Sequence, residues 1–386
     1  MQVLNGIILL CLIAGQVEIL VAIVNRSHAM PVRFGLLRHF RHIHDLLLVL
    51  FPCALVGWVG LYDPGVLRGG DWYQLHWLWK IWLGVCACGF ASLVWCAIRW
   101  QLKRRPTCLL SEDSSVFDVG RRFGESAIGA GKYEYMTKVP GNEFLQFEFV
   151  EKVYDFPLVG DRDELTILHL TDFHFTGIPG LQFYKSAIDR AIEKDYDLVV
   201  FTGDLLDDLE LLAWFPETLG RLKARLGCYY ILGNHDWSTG DQETRRLFSE
   251  AGWTDIASRA VVVPETNSTI VIGGSEVPWM GQHPNFDETP AAATRILLSH
   301  TPDNLEWAQE NSVNLMLSGH NHGGQVVLPI IGPVYSPSWV GVKYSSGDFY
   351  EDPTLLHVCR GLGARHPLRW RCRPEVARLV LRNPTD

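Results

Sequence analysis

The chain has 386 residues, of which 47% are hydrophobic and 20% are charged, and its formal net charge is -9. This length accommodates one large domain or two smaller parts. The negative charge argues against a protein that binds the phosphate backbone of nucleic acids, because such binding requires a basic surface. The nine cysteines show no disulfide-framework spacing, which predicts a reduced soluble part inside the cell.

Three apolar runs in the first hundred residues predict a membrane region over residues 1–105. They are Leu4 to Val24, Leu46 to Tyr62 and Trp77 to Ile98. A helix needs about 20 apolar residues to cross the hydrocarbon core of a bilayer. Core helices of a soluble domain are the disfavoured alternative, because the runs carry so few charges. Glu18 lies inside the first run without an evident partner, and we expect it to face the helix bundle or to be protonated.

The basic residues predict how this region is oriented. They cluster between the first two runs and after the third: Arg26, Arg33, Arg38, Arg41, Arg99, Lys103, Arg104 and Arg105. Between the second and third runs, Arg68 is balanced by Asp63 and Asp71. Basic loops stay in the cytoplasm, so the amino terminus is predicted outside and everything after residue 100 inside. The chain is then a multi-pass protein of the inner (cytoplasmic) membrane.

Residues 106–140 are predicted to be a linker, because stretches such as SEDSSV and GESAIGAGKY are small and polar. The Gly-Lys pair at 131–132 does not complete a P-loop, since Ser126 stands where glycine is required and Tyr133 where serine or threonine is required. Over residues 141–386, short apolar runs such as ELTILHL, YDLVVF and VNLML alternate with helical patterns. That alternation predicts a layered α/β domain.

Polar side chains follow five of the predicted strands. They are Asp172, His174, Asp204, Asp207, Asn234, His235, His300, His320 and His322. Ligands of layered sheets bind beyond the carboxyl ends of the strands. His320 and His322 by themselves are more typical of a surface turn, but the whole set indicates a metal site. Aspartate, histidine and asparagine together suit Mn, Fe, Zn or Co, and a carboxylate such as Asp204 can bridge two ions.

The motifs DFH, GDLLD, GNHD, a lone histidine and GHNH, in this order, resemble those of the calcineurin-like metallophosphoesterases. The resemblance covers roughly residues 141–385. GHNHGGQ, with GLG and PLRW further on, resembles the bacterial branch that carries membrane segments before its catalytic domain. That branch includes UDP-diacylglucosamine pyrophosphohydrolases of lipid A synthesis. The resemblance implies a two-sheet β-sandwich flanked by helices, the metallophosphoesterase fold.

The resemblance also implies two divalent ions and a role for each side chain. One ion would be held by Asp172, His174, Asp204 and His322. The other would be held by Asp204, Asn234, His300 and His320. His235 matches a catalytic histidine that binds no metal, and Asp207 matches the acid that orients it.

These expectations describe a metal-dependent hydrolase of phosphoric ester or anhydride bonds. Two cations would offset the substrate's negative charge and lower the pKa of a bridging water, whose hydroxide attacks phosphorus. His235 would stabilise the developing charge or protonate the leaving oxygen. The membrane region favours a phospholipid or nucleotide–lipid substrate, such as UDP-diacylglucosamine, with the bilayer as partner. Two alternatives stay open: a general phosphodiesterase or phosphatase for soluble substrates, and a metal-binding scaffold without catalysis. Some residues could border the substrate or simply pack: Trp237, Arg365, His366, Arg369 and Trp370.

Overall fold

The structure is a computed structural model that describes residues 1–32, 34–160, 162–267 and 269–384. Arg33, one of the basic residues used to predict orientation, lies outside the described residues, as do the last two residues of the predicted domain. The chain forms two compact units. The membrane unit comprises Met1–Lys103 and Leu328–Lys343, and the catalytic unit comprises Arg104–Val327 and Tyr344–Asp386.

Each predicted apolar run lies in a long helix of the membrane unit. These helices are α1 (Gln2–His28), α2 (Phe34–Ala54), which continues as a π-helix over Leu55–Tyr62, and α3 (Trp77–Gln101). By length and composition, Gln2–His28, His39–Tyr62 and Trp77–Gln101 can each cross a membrane. The association of the chain with a membrane therefore has a structural basis in three candidate spans.

Helices α1 and α3 approach closely at a pair of glycines. A Cβ on Gly15 would lie 1.9 Å from the carbonyl oxygen of Cys86, and one on Gly89 would lie 2.2 Å from the carbonyl oxygen of Gly15. Small residues permit such backbone contact between membrane helices. One turn away, the Ser92 hydroxyl donates to the Glu18 carboxylate at 3.4 Å. Glu18 thus has a partner on α3 that the sequence did not reveal.

The segment Leu328–Lys343 belongs to the membrane unit although both of its neighbours in the chain belong to the catalytic unit. Asn25, near the end of α1, accepts from the backbone N–H of Ser336 at 3.0 Å. Gln101, at the end of α3, donates to the carbonyl of Ile330 at 2.8 Å. The predicted continuous domain over 141–386 is therefore interrupted by a segment that packs at the carboxyl ends of α1 and α3.

The catalytic unit is built from strands and short helices. The strands of the chain are β1 (Leu109–Asp118), β2 (Gln146–Asp155), β3 (Glu164–Leu170), β4 (Leu198–Thr202), β5 (Cys228–Ile231), β6 (Thr254–Asp255), β7 (Ala260–Val262), β8 (Ile270–Ser275), β9 (Thr294–Ser299), β10 (Leu315–Ser318), β11 (Val327–Leu328), β12 (Gly332–Pro333), β13 (Gly347–Glu351), β14 (Thr354–Val358) and β15 (Glu375–Arg382). Of these, β12 and the second residue of β11 belong to the segment Leu328–Lys343 of the membrane unit. The α-helices are α4 (Val119–Phe123), α5 (Glu125–Ile128), α6 (Leu181–Ala191), α7 (Asn234–Thr239), α8 (Asp241–Glu250) and α9 (Leu305–Glu310).

Two sheets form a sandwich. The first has the order β1-β2-β15-β3-β4-β5-β6 and the second has the order β13-β14-β10-β9-β8-β7. Strands β3, β4 and β5 run parallel to one another, as do β9, β10 and β14. Alternate residues of both sheets, such as Ile167, Val200, Ile296 and Leu317, are buried together in one core. The opposite face of the first sheet packs on helix α6 through Phe183 and its neighbours.

The predicted linker over 106–140 is wrong in its first part. Leu109–Asp118 forms β1, which pairs antiparallel with β2 along the edge of the first sheet. Most of its residues are exposed, so the strand lacks the alternation of apolar and polar residues that identifies a half-buried strand. Backbone hydrogen bonds to β2 hold β1 in the sheet. Such bonds to a distant strand cannot be predicted from the local pattern of the sequence.

Candidate metal centre

Both sheets deliver polar side chains to one edge of the sandwich. Asp172 and His174 follow β3, Asp204 and Asp207 follow β4, and Asn234 and His235 stand at the start of α7, just after β5. His300 follows β9. His320 and His322 follow β10. The nine side chains predicted from the sequence therefore share one neighbourhood, because the parallel strands that carry them all end at the same edge.

The first part of the centre surrounds His174. Its Nε2 lies 3.4 Å from Oδ2 of Asp204 and 3.7 Å from Oδ1 of Asp172. His322 places its Nε2 at 3.7 Å from the same oxygen of Asp172. One ligand atom from each of Asp172, His174 and His322 falls within 4.8 Å of the others, a group that could hold a metal ion.

The second part lies on the other side of Asp204. The Nε2 of His300 is 3.3 Å from Oδ2 of Asp204 and 3.1 Å from Oδ1 of Asn234. The Nδ1 of His320 is 3.1 Å from Nε2 of His300. Asp204, His300 and His320 form another group that could hold a metal. Oδ2 of Asp204 thus lies close to one histidine of each part.

Several buried atoms at this edge have no hydrogen-bond partner. They include Oδ1 of Asp172, Nε2 of His174, Oδ2 of Asp204 and Nε2 of His320. Native proteins rarely leave buried polar atoms unsatisfied, because each costs about 1–3 kcal/mol. His174 Nε2 lies within 3.7 Å of the orphaned oxygens of Asp172 and Asp204, whereas His320 meets the centre through Nδ1, 3.1 Å from Nε2 of His300. The donor set fits divalent cations, which would satisfy the orphaned atoms of Asp172, His174 and Asp204.

The backbone is held in an unusual conformation at most of these residues. The φ angle is positive at Asp172 (52°), His174 (45°), Asp204 (58°), His320 (66°) and His322 (50°). A left-handed conformation at a residue other than glycine costs about 1–3 kcal/mol, and such strain gathers at functional sites. The turns therefore aim the side chains inward at the expense of local backbone energy.

Glycines make room for the cluster. A Cβ on Gly319 would lie 2.2 Å from Oδ2 of Asp172, and one on Gly233 would lie 2.2 Å from Oδ1 of Asp204. Real Cβ atoms do not approach oxygen so closely. The carboxylates of Asp172 and Asp204 can therefore occupy their places only because the residues facing them lack a side chain.

Comparison with known proteins is consistent with this geometry. The calcineurin-like phosphoesterase family matches residues 165–324. The chain is 31% identical over 220 residues to Phosphodiesterase YaeI of Escherichia coli K12, covering 56% of this chain and 81% of that protein. This chain is a calcineurin-like phosphoesterase. It is therefore an enzyme that hydrolyses phosphoesters, as the motifs predicted, and the metallophosphoesterase fold is confirmed.

Two further relatives of this phosphoesterase carry informative names. One is a transmembrane protein with metallophosphoesterase domain from Danio rerio, 28% identical over 245 residues, which span 56% of this chain and 53% of that protein. The other is UDP-2,3-diacylglucosamine pyrophosphatase LpxG of Chlamydia trachomatis, 22% identical over 272 residues, which span 55% of this chain and 82% of that protein.

Burial and neighbouring charges shift the pKa values of the side chains in the phosphoesterase centre. Burial alone would raise the pKa of Asp204, but His300 and His235 hold it well below its usual value. Burial would lower the pKa of His300, yet the Asp204 carboxylate raises it to about 9. Burial and then the neighbouring His300 lower the pKa of His320 to about 3. His320 thus presents a neutral imidazole at physiological pH, whereas His300 must lose a proton before it can bind a cation.

Asp207 has two histidine partners. Its Oδ1 accepts from Nδ1 of His235 at 2.5 Å, as the family resemblance implied, and its Oδ2 accepts from Nδ1 of His174 at 2.8 Å. An ionised carboxylate only accepts hydrogen bonds, so both histidines carry their proton on Nδ1 and turn Nε2 into the centre. Asp207 therefore positions a predicted metal ligand as well as the predicted catalytic histidine.

The buried carboxylate of Asp236, the last residue of GNHD, organises the turns after β4 and β5. It accepts from the backbone N–H groups of Asp204 at 2.8 Å, Leu205 at 2.9 Å and Gly233 at 3.0 Å. Three bonds from two separate turns fix the position of Asp204 relative to α7. No role of Asp236 was predicted from the sequence, although its place beside His235 in the GNHD motif is a usable signal.

Trp279 and Arg369 support the centre from regions outside the five motifs. The buried ring of Trp279 lies 4.8 Å from the ring of His320 and 5.5 Å from that of His300. Arg369 is buried, and its Nη1 donates to the carbonyl of His322 at 2.8 Å. Of the two roles left open for Arg369, the structure supports packing, because its guanidinium donates hydrogen bonds to the backbone carbonyls of His322 and Arg360.

Proposed function

We propose that this phosphoesterase cleaves a phosphodiester or pyrophosphate bond of a lipid-linked substrate, such as UDP-diacylglucosamine, at the cytoplasmic face of the inner membrane. The observation that carries the lipid assignment is the segment Leu328–Lys343, which packs with the membrane helices. In the chain it follows the turn that carries His320 and His322, which we call the metal loop. An anchor alone would not require such a segment.

The residues that follow that segment are bonded to the metal loop within the catalytic unit. Asn321, between the two histidines, donates from its side-chain amide to the carbonyl of Tyr344 at 2.9 Å. The N–H of Gly323 donates to the carbonyl of Ser345 at 3.1 Å. The chain therefore passes from His322 into the membrane unit and returns to the same loop. Within the segment, Ile330 is 77% exposed, and an apolar side chain so exposed is suited to contact with lipid.

The chemistry would follow from the donors at the centre. We propose that Asp172, His174, Asp204 and His322 hold one divalent ion, and that Asp204, Asn234, His300 and His320 hold the other. When bound, these ions supply positive charge and an activated water to the substrate phosphorus. Asp207 keeps the proton of His235 on Nδ1. We propose that His235, once protonated, serves the leaving oxygen as a general acid.

The name of LpxG supports the choice of a nucleotide–lipid pyrophosphate. The second candidate is a general phosphodiesterase for soluble substrates, and it is favoured by the higher identity to Phosphodiesterase YaeI. The two candidates differ in what they predict for the acyl chains. A lipid enzyme gains up to ~0.8 kcal/mol, about fourfold in kcat/KM, for each CH₂ that it buries with the transition state. A general phosphodiesterase gains nothing.

The test uses the full-length protein in mixed micelles with Mn²⁺. It compares UDP-diacylglucosamine, shorter-chain analogues and the deacylated sugar nucleotide at a fixed surface concentration, with release of UMP as the readout. We expect kcat/KM to rise steeply with chain length, while His235→Ala abolishes release from every analogue. Equal turnover of acylated and deacylated compounds would leave the general phosphodiesterase. A truncation of residues 1–105 is unsuitable here, because it would strip the partners of Leu328–Lys343.

A further inference from the structure

A second group of potential metal ligands is buried inside the sandwich, apart from the strand-end turns. His169 lies on β3 of the first sheet, His357 lies on β14 of the second, and Cys359 follows β14. None of the three side chains is exposed to solvent. One ligand atom from each lies within 4.8 Å of the other two. We call these three residues the inter-sheet cluster.

The residue spacing places the cluster between the sheets. Leu165 and Ile167 belong to the core between the sheets, and His169 continues the same face of β3 at a spacing of two. Leu355 belongs to that core as well, and His357 and Cys359 continue its face. Imidazoles and a thiol thus occupy positions that the pattern of the sheets assigns to apolar residues.

Each histidine has one nitrogen engaged and one without a partner. Nδ1 of His357 donates to Oδ1 of Asp348 at 2.7 Å, because an ionised carboxylate only accepts. Its Nε2 has no hydrogen-bond partner among the described residues. Nε2 of His169 is bonded to the hydroxyl of Thr202 at 2.9 Å, while its Nδ1 has no partner. The two imidazoles lie with ring centroids 5.3 Å apart and no hydrogen bond joins them in the described structure.

These outer contacts are the ones that metal-binding histidines use. A metal-ligating histidine typically donates its second nitrogen to a carboxylate, a carbonyl or water, which fixes the tautomer and the ring orientation. Asp348 does this for His357, and it is itself held by Lys152 at 2.6 Å and by Tyr154 at 2.8 Å. The N–H of Gly361 points to the sulfur of Cys359 at 3.5 Å. Burial nevertheless raises the pKa of the Cys359 thiol well above its usual value, so the metal-free cluster carries a thiol.

We propose that the inter-sheet cluster is a third metal site, which takes a thiolate-binding cation, Zn²⁺ or Cu⁺, on His169 Nδ1, His357 Nε2 and Cys359 Sγ. Binding releases the thiol proton of Cys359 and forms one sulfur and two nitrogen bonds to the cation. The thiol separates this site from the candidate metal centre at the strand ends (the strand-end centre), whose proposed ligands include no sulfur. The bound cation joins β3 to β14 across the core and so holds the two sheets together beneath the turn that carries Asp172.

The test exploits the cysteine, because none of the proposed ligands of the strand-end centre contains sulfur. Full-length protein is stripped of metal, loaded with Co²⁺ without oxygen, and examined by absorption spectroscopy. A thiolate-to-cobalt charge-transfer band in the near ultraviolet is expected in the unmodified protein. The band should be lost in Cys359→Ser and kept in Cys228→Ser, a matched change at another buried thiol of the catalytic unit.

Metal analysis completes the test and separates it from the proposed function. The purified protein is expected to retain one Zn or Cu per chain with sulfur in its X-ray absorption spectrum, a measurement that needs no variant. Asp204→Asn, which targets the strand-end centre, should lose hydrolysis and keep the cobalt band. A missing band in the unmodified protein, or a band that survives Cys359→Ser, overturns the proposal whether or not the enzyme hydrolyses lipids.

Discussion

Replacing Asp207 by asparagine should damage both halves of the strand-end centre at once. The carboxylate accepts one hydrogen bond from His174 and one from His235. An asparagine side chain keeps one acceptor oxygen, and its amide group meets the other Nδ1–H as a second donor. One of the two histidines must therefore lose its hydrogen bond or change its tautomer. The negative charge that strengthens both hydrogen bonds is also removed.

The expected loss follows from the two bonds. A hydrogen bond to a charged group contributes about 1.5–3 kcal/mol, and loss of the carboxylate behind a metal-binding histidine lowers metal affinity about 10–100-fold. We expect Asp207→Asn to weaken the binding of Mn²⁺ by that factor. At saturating Mn²⁺ it should still lower kcat about 10²–10⁴-fold, the usual range for a misplaced general acid. Asp208→Asn, the same change at the exposed next residue, should alter neither quantity.

A double variant distinguishes the two routes. Metal affinity is measured by competition with a chromogenic chelator, and kcat with a chromogenic phosphodiester. In His235→Ala, the further change Asp207→Asn should still weaken Mn²⁺ binding about 10–100-fold, because the bond to His174 remains to be lost. If Asp207→Asn has no effect on Mn²⁺ affinity in that background, then Asp207 acts on His235 alone and the shared-carboxylate argument is refuted.

Two predictions remain. In the metal-free protein Asp204 raises the pKa of His300 to about 9, and a protonated imidazole cannot bind a cation. Mn²⁺ affinity should therefore rise by up to about tenfold per pH unit up to about pH 9 and then level off; a flat profile from pH 6 to 9 would contradict the role of His300. The arrangement of basic residues predicts a cytoplasmic carboxyl terminus, so a reporter joined after Asp386 should be active inside the cell, and activity confined to the outer side would contradict this orientation.

The sequence by itself determined the elements whose signal is local. A run of apolar residues identifies a membrane helix wherever it packs, and all three runs lie in long helices. The five motifs could also be predicted as one site, because parallel strands bring their carboxyl ends together. This prediction requires only the order of strands and turns along the chain. In the structure, the nine side chains lie at one edge of the sandwich.

Only the tertiary structure decided the features that depend on distant partners. Strand β1 has a polar sequence typical of a linker, and it is a strand because β2 supplies its hydrogen bonds. Asp207 contacts two histidines because the turns after β3 and β5 both approach it. His169 and His357 are far apart in the chain and become neighbours only where the two sheets face each other. Such contacts depend on how the sheets pack, which no periodicity or motif along the chain records.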